Sequence, residues 1–247
     1  RCDVASAVPL DFWQEAIPKL RSKKNLFMLA EADEPELLKG KNLFDMAYGW
    51  ERHHVLNQMA KSDEAVTLWD EVIKSDTSRY EDQDILMNFV TNHDENSWNG
   101  TIRERMGDAA ELLTALSFVS PGMPLIYSGQ EYDLNHRLLF FEKDQIPHSK
   151  EIMWPILEKL GKLKNQNPAL NGGKKPASYK KIHQKNSSIL SFKREKNGNI
   201  VTFLGNFSSE VQTIENPSIN AIDLFTNNKE SSKNLNLKPW GFKILIK

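Results

Sequence analysis

The sequence predicts an α/β fold, in which parallel strands alternate with helices, followed by a smaller antiparallel β domain. Short apolar runs alternate with longer amphipathic stretches through the first two-thirds of the chain. From about Asn167 onward the helical pattern stops and short alternating runs replace it. A β-α-β-α rhythm is typical of parallel strands covered by helices. An eight-stranded barrel and an open doubly wound sheet both fit this rhythm.

The individual elements follow from the spacing of the apolar residues. Compact apolar runs predict strands, and apolar positions three and four residues apart predict helices. The predicted strands cover residues 25–30, 44–50, 85–90 and 124–127. The predicted helices cover residues 11–20, 53–74, 103–119 and 152–163.

The predicted domain boundary lies in the segment 165–175, which contains Asn167-Pro168 and Gly172-Gly173. Residues 1–166 form the first unit and residues 167–247 the antiparallel β domain. In the second unit, Asn197-Gly198 stands between two alternating runs and predicts a tight hairpin turn.

The composition excludes several classes of protein. The chain has 32 basic and 33 acidic residues, so no net charge attracts nucleic acid or an anionic membrane. Its single cysteine, Cys2, permits neither an intrachain disulfide nor a thiolate zinc cluster. No apolar run approaches the roughly 20 residues that a membrane span needs, and no glycine-rich phosphate-binding motif supports a nucleotide-binding protein.

Three acidic residues, Asp3, Glu31 and Asp94, stand just after apolar runs. In a parallel barrel, side chains at the carboxyl ends of different strands converge on one mouth. Clustering three carboxylates is unfavourable unless chemistry requires it. Each acid alone could equally be a helix cap or a surface residue.

The surrounding motifs strengthen the hypothesis of a site. RCDVA at residues 1–5, LAEA at 29–32 and FVTNHD at 89–94 occur in this order, and GMPLIYSGQE follows at 122–131. Together they resemble the ordered signature regions of the α-amylase family of glycoside hydrolases, and the last resembles the eighth barrel strand and its loop. The resemblance covers essentially the whole chain.

The resemblance implies a role for each carboxylate. Asp3 matches the nucleophile that forms a covalent glycosyl-enzyme, and Glu31 matches the general acid and base. Asp94 matches the third carboxylate, which binds sugar hydroxyls and favours the distorted transition state. A retaining pair of carboxyl groups is expected roughly 5–5.5 Å apart.

Two further residues match the family as substrate-binding positions. His93 matches a histidine that hydrogen-bonds the sugar as charge develops. Arg1 matches the arginine that pairs with the nucleophile and keeps it ionised. Trp50 and Trp98 stand just beyond predicted strands and could stack on sugar rings or only pack loops.

The sequence departs from the family pattern in two places. The family often has a calcium-binding histidine four residues after the nucleophile, but this position is Ala7. No cofactor is therefore expected with certainty, and calcium remains possible in the complete protein. The family's first signature, ahead of the nucleophile, is not in the sequence.

The strand count predicts the second half of a (β/α)8 barrel, beginning at about the fourth strand, followed by a small antiparallel β-sandwich. We expect that the 247 residues in isolation would aggregate and would be inactive, because half of the barrel and part of the sugar-binding wall would be missing.

The functional hypothesis is a retaining glycoside hydrolase acting on α-1,4-linked glucans such as starch, glycogen or maltodextrins. The expected partner is an α-glucan, without nucleic acid and without a membrane-spanning segment. An α-glucan transglycosylase, an α-glucosidase-like relative and a non-catalytic glucan-binding module are the alternatives. The sequence does not assign a compartment, although a polymeric substrate would favour a periplasmic or extracellular one.

Overall fold

The first part of the protein is a parallel sheet whose strands follow one another in chain order. The structure is a computed structural model that describes residues 1–40 and 42–247. The four strands are Leu29–Ala30 (β1), Met46–Tyr48 (β2), Ile85–Asn88 (β3) and Met123–Pro124 (β4). Cys2 forms a parallel bridge with Ala30 and so places the N-terminal residues beside β1. Parallel strands in chain order, joined by helical connections, form part of a (β/α)8 barrel.

The strands are shorter than the sequence predicts, and before β1 a flanking amide has a side-chain partner. Before β1, the Met28 amide donates to the Asp45 carboxylate at 2.7 Å, instead of joining a ladder. After β4, the Leu125 amide still donates to the Asn88 carbonyl at 2.8 Å. Beyond it the chain turns into a short 3-10 helix at Gln130–Tyr132.

The described part of the chain contains six α-helices, which connect and cover the strands. Their bounds are Leu10–Lys23 (α1), Trp50–Met59 (α2), Ala65–Arg79 (α3), Ile102–Met106 (α4), Ala110–Val119 (α5) and Met153–Gln166 (α6). Among the described residues, no helix is both long and apolar enough to cross a membrane.

Two of the helices that the sequence predicts as continuous are each divided into two in the structure. The predicted helix 53–74 is divided into α2 and α3 by the polar turn that follows Met59. The predicted helix 103–119 is divided by Gly107, which ends α4 with a φ of +50°. A residue with positive φ cannot continue a right-handed helix, so the chain passes through one 3-10 turn before α5. Thr101 begins α4 with a capping box that Glu104 completes.

Helix α5 lies at the centre of the hydrophobic core. Nine of its ten residues are buried, which is the pattern of a helix covered on all sides. Its core cluster also includes side chains of the antiparallel sheet, namely Leu190, Phe192, Val201, Phe203 and Ile244. The barrel part and the β domain therefore share one continuous core. The predicted domain boundary between residues 166 and 167 stays a prediction.

The second part of the protein is an antiparallel β-sandwich. A six-stranded sheet has the order β10-β9-β12-β7-β6-β5, and β8 pairs with β11 in a second sheet. The bounds are Ser178–Lys181 (β5), Ile189–Lys196 (β6), Asn199–Asn206 (β7), Gln212–Glu215 (β8), Ala221–Asp223 (β9), Lys229–Glu230 (β10), Asn234–Leu237 (β11) and Phe242–Ile246 (β12). An apolar cluster with members from both sheets forms the sandwich core.

The predicted hairpin between β6 and β7 is confirmed. Lys196 pairs with Asn199 across the turn. The two turn residues, Asn197 and Gly198, both have positive φ, +52° and +78°. This is the conformation that the twist of a two-residue hairpin favours, and asparagine and glycine adopt it at low cost.

Candidate active site

The five predicted site residues lie at the carboxyl ends of three parallel elements. Arg1 and Asp3 stand on either side of Cys2, which is bridged to β1. Glu31 follows β1 directly. His93 and Asp94 follow β3 after four further residues. Because parallel strands present their carboxyl ends at one edge, the fold brings these side chains to one surface.

Arg1 joins two of the carboxylates. Its Nη1 donates to Asp3 Oδ1 at 2.7 Å, and its Nη2 donates to Glu31 Oε1. The same Nη2 lies 3.4 Å from His93 Nε2. The sequence analysis predicted that Arg1 pairs with Asp3 alone, whereas in the structure its guanidinium contacts both Asp3 and Glu31. Charge-assisted hydrogen bonds of this kind fix geometry as well as charge.

Asp3 and Glu31 have different surroundings. The Asp3 side chain is 75% exposed, and the Glu31 side chain is 11% exposed. The second Glu31 oxygen, Oε2, accepts the Val4 amide at 3.1 Å. Asp3 is thus open to a molecule that arrives from solvent, whereas Glu31 is held from two sides.

His93 and Asp94 complete the cluster around Glu31. His93 Nε2 lies 3.7 Å from Glu31 Oε1 and 3.5 Å from Asp94 Oδ2. One ligand atom from each of the three residues lies within 4.8 Å of the other two. This donor set could hold a divalent cation, but the positively charged Arg1 guanidinium already lies against Glu31 Oε1. Ala7 offers no side-chain ligand to such an ion.

Two tyrosines border the cluster. Desolvation raises the pKa of Tyr48 despite the opposing charge of Arg1, and desolvation together with the Asp94 charge raises the pKa of Tyr127. Both phenols therefore stay neutral at ordinary pH. For Arg1, partial burial opposes the shift, but Tyr48 and Glu31 raise its pKa above the usual value. The guanidinium is thus a fixed positive charge.

A buried network supports the loop that holds Asp94. His53, on α2, stacks on Phe89 with ring centroids 4.5 Å apart and donates from Nδ1 to the Phe89 carbonyl at 3.0 Å. Its Nε2 lies 3.0 Å from Glu95 Oε2. The hydrogen bond from His53 lowers the pKa of Glu95 although burial opposes it. The residue after Asp94 is thereby tied to a neighbouring helix.

The backbone beside Asp3 is strained. Val4 has a φ of +39° and a ψ of +51°. A β-branched residue in this left-handed region costs of order 1–3 kcal/mol. The strain directs the Val4 amide at Glu31, so the same distortion connects the segments that carry Asp3 and Glu31.

The structure also identifies residues that the sequence reasoning missed. Tyr48 and Tyr127 follow the pattern of polar groups at strand ends, which could have found them. Trp50 packs against Tyr48 and Phe89, in keeping with the packing alternative. Trp98 is 56% exposed, in the π-helix Glu95–Asn99.

The cavities do not coincide with the carboxylates. Two cavities, of about 530 and 520 Å³, are lined by none of the five predicted site residues. A smaller cavity of about 240 Å³ includes His93 and Tyr127 in its lining and extends toward residues 138–146.

Comparison with known proteins supports the predicted resemblance. No family model matches the chain. The α-amylase MalA of Haloarcula japonica is 24% identical over 223 residues, which is 88% of this chain and 32% of MalA. A maltogenic α-amylase, AmyB, of Thermotoga neapolitana superposes with a TM-score of 0.82 at 21% identity, over 100% of this chain and 60% of AmyB. An α-amylase of Lactobacillus plantarum gives 0.83 at 22% identity, over 100% and 62%.

These matches show the fold of the chain. The fold is the second half of a (β/α)8 barrel followed by a small antiparallel β-sandwich, as predicted. The resemblance to the C-terminal part of α-amylase-family proteins is likewise confirmed along the chain. The chain spans about a third of the length of MalA and about three-fifths of the two solved structures.

Proposed function

We propose that the complete protein is a retaining glycoside hydrolase that acts on α-1,4-linked glucans. One observation carries the proposal. The Arg1 guanidinium joins Asp3 and Glu31, while His93 and Asp94 stand beside Glu31 at the same edge of the parallel sheet. The sequence match to an α-amylase and the shared fold support this class of substrate.

In the first half of the proposed reaction, an Asp3 oxygen attacks the anomeric carbon of the bound sugar. The bond from that carbon to the glycosidic oxygen breaks, and protonated Glu31 gives its proton to the leaving oxygen. The exposure of Asp3 suits attack on a ligand that arrives from solvent. Arg1 orients the nucleophile through its hydrogen bond to Asp3 Oδ1.

In the second half, water attacks the anomeric carbon and the ester to Asp3 breaks. Glu31, now a carboxylate, takes the proton from that water and returns to its starting state. His93 and Asp94 are positioned to hydrogen-bond hydroxyls of the same sugar, and these bonds strengthen as positive charge develops on the ring.

The experiment uses the complete protein, with any natural sequence that flanks residues 1–247. Release of reducing ends from soluble starch is measured for wild type, Asp3→Asn and Glu31→Gln. We expect each substitution to lower kcat by at least about 10³-fold, because neither amide can perform the step assigned to its carboxylate.

Glu36→Gln is the matched control, because Glu36 lies on the same loop as Glu31 but pairs only weakly with Lys39 at 3.8 Å. It should retain wild-type activity. A wild type that binds α-glucans without hydrolysing any of them would contradict the proposal and favour the binding-module alternative. Product analysis with an added sugar acceptor separates hydrolysis from glycosyl transfer.

A further inference from the structure

The Asp94 carboxylate has little support from bonds of its own. Within residues 1–40 and 42–247, the one charged group closer than 4 Å to it is His93 Nε2, at 3.5 Å. Its side chain is 37% exposed. The direction of this carboxylate is therefore determined by the backbone that carries it, and the residues that fix this backbone deserve the same scrutiny as Asp94.

The next residue, Glu95, uses every polar group that it has. Its amide donates to Asn92 Oδ1 at 2.8 Å, and its carbonyl accepts the Gly100 amide at 3.0 Å. Its Oε1 accepts Asn99 Nδ2 at 3.1 Å, and its Oε2 lies 3.0 Å from His53 Nε2. Glu95 is also buried, with 8% of its surface exposed. The position directly after Asp94 is thus fixed from four sides.

The backbone that Glu95 fixes has an uncommon conformation. The bond from the Gly100 amide to the Glu95 carbonyl closes the π-helix Glu95–Asn99, and Asp94 is the residue immediately before it. Such single π-turns are rare and occur frequently at functional sites. The side-chain bonds of Glu95 therefore support a turn that begins beside a candidate catalytic carboxylate.

Arg105, on α4, binds both ends of the same loop. Its Nη2 donates to the Val90 carbonyl at 2.7 Å, and its Nε donates to the Gly100 carbonyl at 2.9 Å. Its Nη1 donates to Asn57 Oδ1 on α2 at 2.6 Å. One buried guanidinium thus fixes the two ends of the loop, while Glu95 fixes its middle.

We propose that Glu95 is a positioning residue that holds Asp94 in place for the proposed reaction, with His53 as its partner. The inference rests on the proposed function, in which Asp94 binds hydroxyls of the reacting sugar. Groups that act in this way must be held within about 0.5 Å of their productive position, and a misplacement of about 1 Å can lower a rate about 100-fold. Glu95 supplies this precision through the backbone.

The test measures kcat and KM in the complete protein, for Glu95→Gln, for Asp94→Asn and for the variant that carries both changes. The substrate is an α-maltosyl fluoride, because its good leaving group keeps slow variants measurable. Glu95→Gln retains the shape of the side chain but removes the charge that faces His53. We expect it to lower kcat about 10- to 100-fold while KM changes less than about threefold.

The double variant separates positioning from a general loss of structure. If Glu95 acts through Asp94, then Glu95→Gln should lower kcat by less than about twofold once Asp94 has been replaced by asparagine. A residue that only stabilises the fold would lower kcat by the same factor in both backgrounds.

Asp76→Asn is the matched control. Asp76 is 7% exposed, and its Oδ2 accepts the Arg52 Nε at 2.5 Å. Arg52 precedes His53 on α2, so this change disrupts a similarly buried ion pair on the same helix without touching the Asp94 loop. It should lower the unfolding midpoint but leave kcat within about twofold of wild type at temperatures where both proteins are folded.

Hydrogen exchange reports the same positioning without any need for activity. The amides at positions 95, 96 and 100 are all bonded within the Asp94 loop. In Glu95→Gln they should exchange at least about tenfold faster than in wild type, whereas Asp76→Asn should leave them unchanged.

The outcomes separate this inference from the proposed function. If wild type is active and Glu95→Gln keeps its kcat, or if its effect is the same with and without Asp94, the inference is wrong and the proposed function stands. If wild type cleaves neither α-glucans nor the glycosyl fluoride, the proposed function fails. Hydrogen exchange then decides whether Glu95 holds the loop, and unchanged exchange in Glu95→Gln would overturn that too.

Discussion

Arg194 is a buried cation that connects the two parts of the protein, and its removal is the clearest test of the packing described above. It lies on β6 and is 1% exposed. Its guanidinium donates to four backbone carbonyls, at 2.8 to 3.3 Å, and these belong to Ser178, Val119, Asn171 and Ala177. Val119 ends α5 of the barrel part, while the other three residues lie in or near the start of the β domain.

The magnitude follows from two opposing effects. Hydrogen bonds from a charged donor contribute about 1.5–3 kcal/mol each, so four bonds favour the native state by about 6–12 kcal/mol before other costs. Desolvation of the charge opposes this and, with the nearby Arg52 charge, lowers the pKa of Arg194 to about 10. That depression corresponds to about 3 kcal/mol. Because the carbonyls can partly relax toward water, we expect Arg194→Met to destabilise the protein by about 3–5 kcal/mol.

The assay is thermal unfolding of the complete protein in matched scans, followed by far-UV circular dichroism and calorimetry. Arg194→Met should lower the unfolding midpoint by several degrees. The unfolding midpoint of Arg194→Lys should lie between those of wild type and Arg194→Met, because an ammonium group cannot reach all four carbonyls as the planar guanidinium does. Lys193→Met is the control: Lys193 is the adjacent residue, its side chain is part exposed, and its pair with Glu195 should contribute at most about 1 kcal/mol.

One result would refute this reasoning. If Arg194→Met unfolds at the same temperature as Lys193→Met, the four hydrogen bonds only compensate the cost of burying the charge. In that case a buried cation without a carboxylate partner would be energetically neutral here, as some buried ion pairs are.

Two further predictions concern a close backbone contact and a buried acid. Gly122 has a φ of +106°, and a Cβ there would lie 2.2 Å from a backbone carbonyl oxygen of β3. Gly122→Ala should therefore lower the free energy of unfolding by about 3 kcal/mol or more in denaturant titrations. Gly198→Ala is the control and should lower it by only about 1 kcal/mol, because Gly198 has a φ of +78° but open space around it. Glu95 has its pKa lowered below 4.5 by His53. Its ionised form therefore stabilises the fold above that pH, and this stability is lost as the pH falls through the folded pKa. Glu95→Gln should flatten the dependence of the unfolding midpoint on pH below 4.5, and an unchanged slope would contradict the assignment.

The sequence predicted the larger features because their signals are local or ordered along the chain. The alternation of apolar runs and amphipathic stretches predicted parallel strands with helices, and Asn197-Gly198 predicted the hairpin of β6 and β7. The positions of Asp3, Glu31 and Asp94 after apolar runs predicted that they would meet, because parallel strands end at one edge.

Other features depend on contacts between distant segments and could not be read locally. Gly107 breaks the predicted helix 103–119 by a positive φ that glycine permits but does not require. The contact of Arg1 with Glu31 joins residues 30 positions apart. Phe140 and Phe141 lie in an irregular loop, and the apolar run that contains them is as compatible with a buried element as with exposed rings.

The central claim is that Asp3 is the nucleophile and Glu31 the acid and base, and rescue by azide tests it most directly. In the complete protein, Asp3→Ala and Glu31→Ala are each incubated with an α-maltosyl fluoride and sodium azide, and NMR identifies the anomer of the glycosyl azide. The account predicts a β-glycosyl azide from Asp3→Ala, because azide replaces the missing nucleophile in a single inversion. It predicts an α-glycosyl azide from Glu31→Ala, because azide attacks the ester on Asp3 in a second inversion. The same anomer from both variants, or no glycosyl azide from either, would contradict the assignment.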